Sequence, residues 1–468
     1  SFSILLSKGS SENIAIAELY IQALARLGIT ARVDAVDDAQ FVARNAAFDF
    51  DMAIFRRALS LSPGNEQRYY WGSEAADQEG SRNLMGVQSP AIDAMIDTMV
   101  GASSAEDFTA WMARHGKIVH FATYGARDRE AGRAMPPDAI FRIYSMTKPI
   151  IGVGLMTLYE EGRFQLSDPV AMYIPEFADL EVASGVGASG PLVEEADHLM
   201  TIRELMTHTA GLTYGVFSNS QVDAIYRDVD VLDRGGTLSD MITKLSHIPL
   251  WGQPGAQWHY SVAVDVQGYL IEVLSGQPLD TFLQDRVLGP LGMVDSGFHV
   301  HADKADRFTQ VYTYDLLGNL TVGETASRAS EWKQPATFFS GGGGFVSTTL
   351  DYMRFCLMLL NDGELDGVRV LSQETVSLMR SDHLPAGVSF SGGREGFGLD
   401  FAVVLDPSQG DGVSAGTYYW GGAAGTWFWI DPKEDLAFVG MIQQFGNRPD
   451  VRGSSRQYVY DAITVRAN

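Results

Sequence analysis

Cysteine is nearly absent from this sequence, since Cys356 is the only one among 468 residues. A single cysteine forms no intramolecular disulfide, and it cannot build a cysteine-based zinc site or an iron–sulfur cluster. Cys356 lies in an apolar segment with helical spacing, so we expect it to pack in a core as a small hydrophobic side chain. No other pattern in the sequence indicates a cofactor, and we predict none.

Positive charge is also scarce. The 58 Asp and Glu residues outnumber the 34 Lys and Arg residues, which gives a formal net charge of −24. Binding to nucleic-acid phosphates or to anionic lipid requires clustered Lys and Arg. The composition therefore argues against nucleic-acid and membrane partners, and it predicts a protein that self-repulsion keeps dispersed.

Long apolar runs are missing as well. No run reaches the roughly 18 apolar residues that indicate a membrane-spanning helix. The first eight residues, SFSILLSK, lack the charged start and the full apolar stretch of a secretion signal. We therefore expect a soluble protein, with the cytoplasm favoured over an exported location.

The first hundred residues alternate between strand-like and helix-like patterns. Apolar runs and apolar residues at helical spacing predict three strands, at 2–6, 29–36 and 48–55, and three helices, at 10–27, 37–45 and 90–100. The β-α-β-α-β order of the first five elements predicts a small α/β layer.

Three short segments in this part resemble the later part of a periplasmic peptide-binding protein of ABC transporters. They are 48–52 (FDFDM), 61–67 (LSPGNEQ) and 80–83 (GSRN). The resemblance covers about residues 1–107. Proteins of that family clamp a ligand between two lobes and are several times longer, so this part alone cannot build the clamp. We predict a fused structural segment, with ligand binding as the alternative.

Ser414 lies in the pattern G-x-S-x-G, which is typical of the nucleophile elbow of α/β-hydrolases. In those folds the catalytic histidine follows the serine in the chain. The last histidine here is His383, and residues 417–420 (TYYW) favour a strand where an elbow needs a helix. We therefore exclude Ser414 as a nucleophile.

The pattern S-x-x-K occurs twice. Ser330 and Lys333 are followed by Gln334 and Pro335, and a proline there stops a continuing helix, so this segment is predicted to lie on the surface. Ser145 and Lys148 are followed by a proline that a first helical turn tolerates, and then by an apolar helix over 150–159. Ser145 is therefore the candidate nucleophile.

A serine at the start of a helix lies at the positive end of the helix dipole, beside a backbone amide that can bind an oxyanion. Lys148 is three residues further on and shares a helical face with Ser145. Burial removes solvation from the charged form of a lysine, so a buried lysine can accept the serine proton. The pair has the chemistry of a nucleophile with its base.

Two later segments supply further groups. Tyr260 lies at the entrance of an apolar helix predicted over 262–274, where its phenol can face Ser145. Residues 418–432 predict a hairpin in which Gly421 and Gly422 let a substrate approach the strand backbone.

Taken in order, segments 141–148 (FRIYSMTK), 260–262 (YSV) and 420–422 (WGG) resemble the three motifs of the serine β-lactamase and penicillin-binding-protein superfamily. Segments 205–212 and 339–344 add to this resemblance, which covers about residues 109–468. The nearest branch is the class C-like one that contains the family VIII carboxylesterases. The resemblance implies an α/β (α+β) fold, in which an antiparallel sheet is flanked by helices.

The implied domains are a segment over 1–107 and a hydrolase domain over 108–468. Within the hydrolase domain we expect a mostly helical subdomain at about 165–330. The sheet takes strands from near 111–128 and 397–444, and a helix at about 450–466 closes it. Residues 182–191, which are rich in small residues, are predicted to form a loop.

Two positions depart from the class C pattern. Those β-lactamases carry Lys-Thr-Gly at the third motif and an asparagine two residues after the tyrosine, where this chain has Trp420 and Val262. Loss of an ion-pair donor and of an amide partner weakens β-lactam recognition by about a few kcal/mol. Trp420 instead offers an apolar wall. The resemblance thus points to short-chain ester hydrolysis, with weak or restricted β-lactam cleavage.

The mechanism implied by the resemblance starts with attack of Ser145 on the ester carbonyl, with Lys148 and Tyr260 sharing the proton. The backbone amides of Ser145 and Ala423 bind the oxyanion. A small-molecule ester would contact a set of four residues: Trp420, Gly421, Gly422 and Val262. The alternatives are a true β-lactamase, a D-amino-acid peptidase or a transesterase on the same site, or a solute-binding module with an inactive hydrolase.

The remaining histidines suggest no further site. His299 and His301 lie on one face of a predicted strand, but the sequence supplies no third ligand, so we predict no metal. His208 is interpreted as a hydrogen-bonded structural residue.

Overall fold

The computed structural model describes residues 2–26, 28–53, 73–76, 78, 108–315, 317–408, 412–446, 451–461 and 463. The chain forms two compact units, residues 1–105 and 106–468. The helix predicted over 90–100 lies outside the described residues, as do segments 61–67 and 80–83.

The first unit contains a parallel sheet of three strands with two helices. The strands are β1 (Phe2–Ser7), β2 (Ala31–Val36) and β3 (Met52–Ala53), and the helices are α1 (Ser11–Ala25) and α2 (Asp38–Ala46). β1 is the central strand, and its residues Ile4, Leu5 and Leu6 are buried. β3 begins at Met52, four residues later than predicted, and Phe48, at the predicted start, adopts a left-handed backbone (φ 54°).

The strands of the second unit are, in chain order, β4 (Phe108–Arg114), β5 (Lys117–Tyr124), β6 (Ala126–Asp128), β7 (Arg133–Ala134), β8 (Phe141–Arg142), β9 (Val182–Val186), β10 (Pro191–Glu194), β11 (Tyr312–Tyr314), β12 (Leu320–Val322), β13 (Val346–Ser347), β14 (Glu364–Leu365), β15 (Val368–Arg369), β16 (Glu395–Phe397), β17 (Ala402–Val404), β18 (Tyr418–Gly421), β19 (Trp427–Asp431) and β20 (Leu436–Ile442). Seven of them form an antiparallel sheet in the order β16-β17-β18-β19-β20-β4-β5. β4 pairs with β20, so strands from opposite ends of this unit are neighbours within the sheet.

The helices of the second unit are α3 (Thr147–Glu160), α4 (Ile202–Met206), α5 (Gln221–Asp228), α6 (Leu238–Leu245), α7 (Ala263–Ser275), α8 (Leu279–Leu283), α9 (Ala326–Glu331), α10 (Thr349–Leu360), α11 (Gln373–Met379) and α12 (Val451–Asp461). α3 packs against α7, and α10 packs against β20 and β4. Residues 147–158 of α3 are all buried, which fits the apolar sequence that predicted this helix. The predicted combination of antiparallel sheet and helices is confirmed.

Region 165–330 contains several short helices, but it also carries two hairpins. Residues 182–191 are not a simple loop, because β9 and β10 pair there around a turn in which the Gly187 N–H donates to the Gly190 carbonyl. Small residues at the turn hid the strand pattern on either side. Cys356 is fully buried in α10, as predicted. No helix among the described residues is long and apolar enough to cross a bilayer.

Candidate active site

Ser145 lies in a single 3₁₀ turn, Tyr144–Met146, that leads directly into α3. The preceding residue, Tyr144, has a left-handed backbone with φ 43°, which costs a non-glycine residue about 1–3 kcal/mol. Its ring packs against Trp332 and Phe445, with centroid separations of 5.8 and 5.5 Å. This packing helps to hold the strained turn that carries Ser145.

Lys148 is buried beside the serine, with 1% of its surface exposed. Its Nζ lies 3.4 Å from Ser145 Oγ. The same Nζ donates to Tyr214 Oη at 2.8 Å and to the Gly342 carbonyl at 2.6 Å. These three contacts hold Nζ in place beside the serine hydroxyl.

Tyr214 is a site residue that the sequence did not single out. Burial, followed by the neighbouring Tyr260 and Asp265, raises the pKa of its phenol well above the usual value, so the hydroxyl stays protonated. A side chain at position 342 would place its Cβ only 2.6 Å from Tyr214 Oη, which explains the glycine there. The feature of the sequence that could have indicated Tyr214 is its position, two residues after segment 205–212.

Asp265 is a second missed residue, in the first turn of α7. Its Oδ1 accepts a hydrogen bond from the Gly342 N–H at 2.9 Å and one from Ser340 Oγ at 2.6 Å. The carbonyl of Gly342 in turn accepts from Lys148, so Asp265 holds the loop that positions the lysine. The feature of the sequence that could have indicated it is an acidic residue in the first turn of a mostly apolar helix.

Tyr260 lies just before α7, and its ring faces the lysine. Lys148 Nζ is 4.6 Å from the centroid of the Tyr260 ring. The ring is enclosed by other aromatic groups, with centroid distances of 5.2 Å to Tyr214, 4.8 Å to His208 and 5.6 Å to Trp420. The structure therefore brings Tyr260 to Ser145 and Lys148, and aromatic packing fixes its orientation.

One cavity of about 540 Å³ joins the three predicted motifs. It is lined by Ser145, Tyr260, Trp420, Gly421, Gly422 and Ala423, and also by Phe217, Gly425, Thr426, Trp427, Ile442, Val451 and Arg452. Val262 differs from expectation, because its side chain is fully buried in the core and is not among these lining residues. It precedes α7, a position that turns it away from the cavity and towards packed apolar side chains.

The end of β18 lies against the nucleophile turn. A Cβ at Gly422 would collide with the carbonyl oxygen of Ile143 and with Thr426 Oγ1, so only glycine fits this approach. Thr426 Oγ1 donates to the same Ile143 carbonyl at 3.1 Å. This contact brings the turn that contains Ala423 to the same cavity as Ser145, where an oxyanion hole needs two backbone amides.

His208 is buried behind Tyr260. Its Nδ1 accepts a hydrogen bond from the Ser261 N–H at 3.3 Å and lies 3.2 Å from Ser261 Oγ. Burial, followed by the charge of Lys148, lowers the pKa of His208 well below its usual value, so the ring is neutral. A neutral ring that accepts from the backbone next to Tyr260 supports the structural interpretation of His208.

The other candidate groups lie elsewhere. Ser414 is in a turn, where its N–H donates to Asp431, and the strand β18 follows it. Ser330 and Lys333 are exposed at the end of α9. The rings of His299 and His301 lie 4.6 Å apart, and the described part of the chain holds no group of three metal-ligating side chains.

The sequence and the structure of this unit both match known proteins. Residues 92–460 match the family profile described as Beta-lactamase. Esterase EstB of Burkholderia gladioli is 32% identical over 371 residues, which are 74% of this chain and 88% of EstB. The solved structure of EstCE1, described as a hydrolase with promiscuous acyltransferase activity, is 26% identical with a TM-score of 0.66 and covers 75% of this chain and 93% of EstCE1.

A separate match supports the binding-protein fragment. BMEII0691 of Brucella melitensis biotype 1, which is named as a binding protein, is 44% identical over 110 residues. The match spans 24% of this chain and 18% of that protein. The predicted resemblance is thus confirmed for both parts, including the family VIII esterase branch. With its profile, its esterase relatives and its antiparallel sheet in agreement, the chain belongs to the beta-lactamase family.

Proposed function

We propose that this protein hydrolyses short-chain carboxylic esters through an acyl-enzyme on Ser145. The observation that carries the proposal is the 3.4 Å separation between Lys148 Nζ and Ser145 Oγ, at a helix start that opens into the same cavity as Tyr260. This arrangement has a nucleophile, a buried base and a second proton carrier within one site. The naming of EstB as an esterase supports the same reaction class.

In the first half-reaction, Ser145 Oγ bonds to the ester carbonyl carbon while its proton passes to Lys148, which acts as the general base. The amides of Ser145 and Ala423 bind the resulting oxyanion. When the oxyanion collapses, the bond from carbon to the alcohol oxygen breaks, and Tyr260 gives its proton to that oxygen. Tyr260 recovers a proton from Lys148, whose Nζ faces its ring.

In the second half-reaction, a water molecule takes the place of the alcohol. Lys148 and Tyr260 accept a proton from the water as its oxygen attacks the acyl carbon. The bond between the acyl carbon and Ser145 Oγ then breaks, Oγ takes back the proton that Lys148 and Tyr260 accepted from the water, and the carboxylic acid leaves. Tyr214 and Asp265 take part as positioning residues, since they hold Lys148 and the Gly342 loop without lining the cavity.

Trp420 supports the preference for esters over β-lactams. Its ring packs 5.6 Å from that of Tyr260 and closes one side of the cavity with apolar surface. A class C β-lactamase has a lysine at this position for the substrate carboxylate. Without that lysine, we expect nitrocefin to be cleaved more slowly than p-nitrophenyl acetate or butyrate.

A substrate panel on wild type and Ser145→Ala tests the proposal. Ser145→Ala should lower turnover of p-nitrophenyl acetate and butyrate by about 10³-fold or more, with folding retained. Ser414→Ala is the matched control and should keep most of the activity. A folded Ser145→Ala protein with wild-type turnover would contradict the proposal, as would an inactive but folded Ser414→Ala protein. Nitrocefin and D-alanyl peptides in the same panel distinguish the β-lactamase and peptidase alternatives.

Acyl transfer to an alcohol is a second candidate reaction on this site, because the relative EstCE1 is described as having promiscuous acyltransferase activity. The acyl-enzyme is the same, and an alcohol replaces water in the second half-reaction. Turnover of p-nitrophenyl butyrate with added methanol tests it. Formation of methyl butyrate supports transfer, whereas release of butyrate alone restricts the site to hydrolysis.

A further inference from the structure

The proposed reaction needs two backbone amides from different elements to face one oxyanion. The amide of Ser145 belongs to the nucleophile turn that follows β8, and the amide of Ala423 belongs to the hairpin turn (422–426) between β18 and β19. An oxyanion hole works only when both donors lie at hydrogen-bond distance from the same position. The contacts that join the two turns therefore determine whether the hole forms.

Gln443 holds the strand that leads into the nucleophile turn. It directly follows β20 and is buried, with 5% of its surface exposed. The backbone N–H of Arg142 donates to Gln443 Oε1 at 3.1 Å, and Gln443 Nε2 donates to the Arg142 carbonyl at 3.0 Å. One side-chain amide thus pairs with both backbone groups of Arg142, as a neighbouring strand would. Arg142 is three residues before Ser145.

The backbone next to Gln443 holds the hairpin turn. The N–H of Gln444 donates to the carbonyl of Ala424 at 2.8 Å, and Ala424 is the residue after Ala423. The end of β20 therefore contacts both halves of the proposed hole. It reaches the hairpin turn through its backbone and the strand before Ser145 through the side chain of Gln443.

The segment that carries Gln443 is itself fixed in place. The Gln443 carbonyl accepts from the Tyr312 N–H at 2.8 Å, and the Phe445 N–H donates to the Tyr312 carbonyl at 2.8 Å. These bonds attach the segment to β11 beyond the end of β20. A fixed backbone restricts the side-chain amide of Gln443, so the amide sets the position of Arg142 relative to the sheet.

We propose that Gln443 is a positioning residue of the oxyanion hole, whose side-chain amide keeps the Ser145 amide in register with that of Ala423. This inference rests on the proposed ester hydrolysis. Gln443 is not among the described residues that line the cavity, so it acts through the backbone of Arg142 and not on the substrate. Because the hole stabilises the oxyanion and not the bound ester, loss of the amide should lower kcat with little change in KM.

A matched pair of ketones measures the oxyanion hole. With 1,1,1-trifluoro-4-phenyl-2-butanone, Ser145 Oγ bonds reversibly to the carbonyl carbon, its proton passes to Lys148, and the carbonyl oxygen becomes an oxyanion. The methyl ketone 4-phenyl-2-butanone has a similar shape and does not form this bond appreciably. The measured quantity is the ratio of Ki for the methyl ketone to Ki for the trifluoromethyl ketone, with p-nitrophenyl acetate as substrate. In wild type we expect this ratio to be about 10² or more.

The ratio distinguishes positioning from a general loss of structure, because a Ki does not depend on how much of the enzyme is folded. Gln443→Met keeps the length of the side chain without the amide, so it should lower both kcat and the ratio about tenfold. KM for p-nitrophenyl acetate should stay within about twofold of wild type. Gln443→Asn keeps an amide that is too short to reach both groups of Arg142, and its two losses should be about threefold.

Gln267→Met is the matched control. Gln267 is also a buried glutamine, and its Nε2 donates to Asp400 Oδ1 at 3.0 Å, away from the two turns. The substitution removes a buried amide of the same kind, so it should lower the thermal unfolding temperature. The ketone ratio should stay within about twofold of wild type, because the contacts of the oxyanion hole are unchanged.

The outcomes separate this inference from the proposed function. If wild type hydrolyses p-nitrophenyl acetate but neither Gln443 variant changes the ratio by more than twofold, the contact from Thr426 to Ile143 is sufficient. The role of Gln443 is then wrong and the esterase stands. The same conclusion follows if Gln267→Met lowers the ratio as much as Gln443→Met, or if wild type does not prefer the trifluoromethyl ketone.

If wild type hydrolyses no ester, or if Ser145→Ala retains turnover, both the esterase and the role of Gln443 are wrong. Thermal unfolding shows which variants are folded. If Gln443→Met does not fold, Gln443→Asn decides: a lower ratio supports the role of Gln443, and an unchanged ratio overturns it.

Discussion

Segments 145–148 and 330–333 have the same S-x-x-K pattern and opposite environments. The first begins a buried helix, and its lysine contacts Ser145, Tyr214 and Gly342. The second ends a short exposed helix, and its lysine is exposed. The four residues are therefore insufficient to define a nucleophile. Burial of the lysine against groups from distant parts of the chain is the property that distinguishes the first segment.

The largest expected difference between the two segments concerns their lysines. Lys148→Met should lower kcat for p-nitrophenyl butyrate by about 10³-fold, because the serine loses its base. Lys333→Met should leave kcat within about twofold of wild type. Steady-state kinetics with circular dichroism as a folding control measure both. Equal losses in the two variants would show that the burial of Lys148 is irrelevant to activity.

The side chain of Asp400, which packs against helix α3 of the first segment, predicts a dependence of stability on pH. Asp400 is fully buried, a Cβ at Gly152 of α3 would lie 2.5 Å from its Oδ2, and burial raises its pKa to about 8. The folded protein keeps this proton up to about pH 8, whereas the unfolded chain releases it near pH 4. The unfolded state binds fewer protons in this window, so this contribution to stability is complete below about pH 4 and is lost as pH rises through 8.

Asp400→Asn should remove this dependence. Between pH 6 and pH 8 we expect the wild type to lose about 2 kcal/mol of unfolding free energy that the variant keeps. Urea unfolding at the two pH values measures the difference. Glu331→Gln, on the exposed helix α9, is the control and should follow the wild type. A variant as sensitive to pH as the wild type would rule out Asp400 as the cause.

A smaller effect is expected from Tyr214. Tyr214→Phe removes the hydroxyl that accepts from Lys148 and should lower kcat about tenfold, because the lysine loses a positioning contact. Tyr418→Phe is a matched control, since Tyr418 is buried and its hydroxyl has no hydrogen-bond partner among the described residues. Its kcat should equal that of wild type. A Tyr214→Phe enzyme with unchanged kcat would show that Gly342 alone positions the lysine.

The smallest expected effect concerns the residue before each serine. Tyr144→Gly and Tyr144→Ala both lose the ring packing, but glycine also removes the strain of the left-handed φ, so it should be more stable than alanine by about 1 kcal/mol. At the equivalent position of the other segment, Ala329→Gly should be destabilising by about 0.5–1 kcal/mol, because α9 is a regular helix. Thermal unfolding of the three variants tests whether glycine is more stable than alanine at position 144 and less stable than alanine at position 329.

The sequence was sufficient to predict features that depend on local patterns. The strands of the first unit, the helix after Ser145 and the hairpin over 418–432 follow from apolar spacing, prolines and glycines near each element. The order of the three motifs predicted the family and its fold. Hairpin β9–β10 was missed because glycine, serine and alanine at its turn resemble a loop composition.

Tyr214, Asp265 and Gln443 illustrate what local patterns leave out. The hydrogen bond from Lys148 to Tyr214 joins residues 66 positions apart, and the one to Gly342 spans 194 positions. Gln443 pairs with Arg142 across 301 positions. Each of these residues has an ordinary sequence context. Its importance arises only from which atoms it contacts after folding.

The sequence by itself determined the chemical groups: a serine at a helix start, a lysine one turn later, a tyrosine before a second helix and a tryptophan in place of a cation. Periodicity and turn residues encode such features because they act over a few neighbouring positions. Tertiary structure alone decided that Tyr214 and Gly342 hold Lys148, that Val262 belongs to the core and that Arg452 lines the cavity. Those outcomes depend on packing between segments separated by tens to hundreds of residues, which no local pattern specifies.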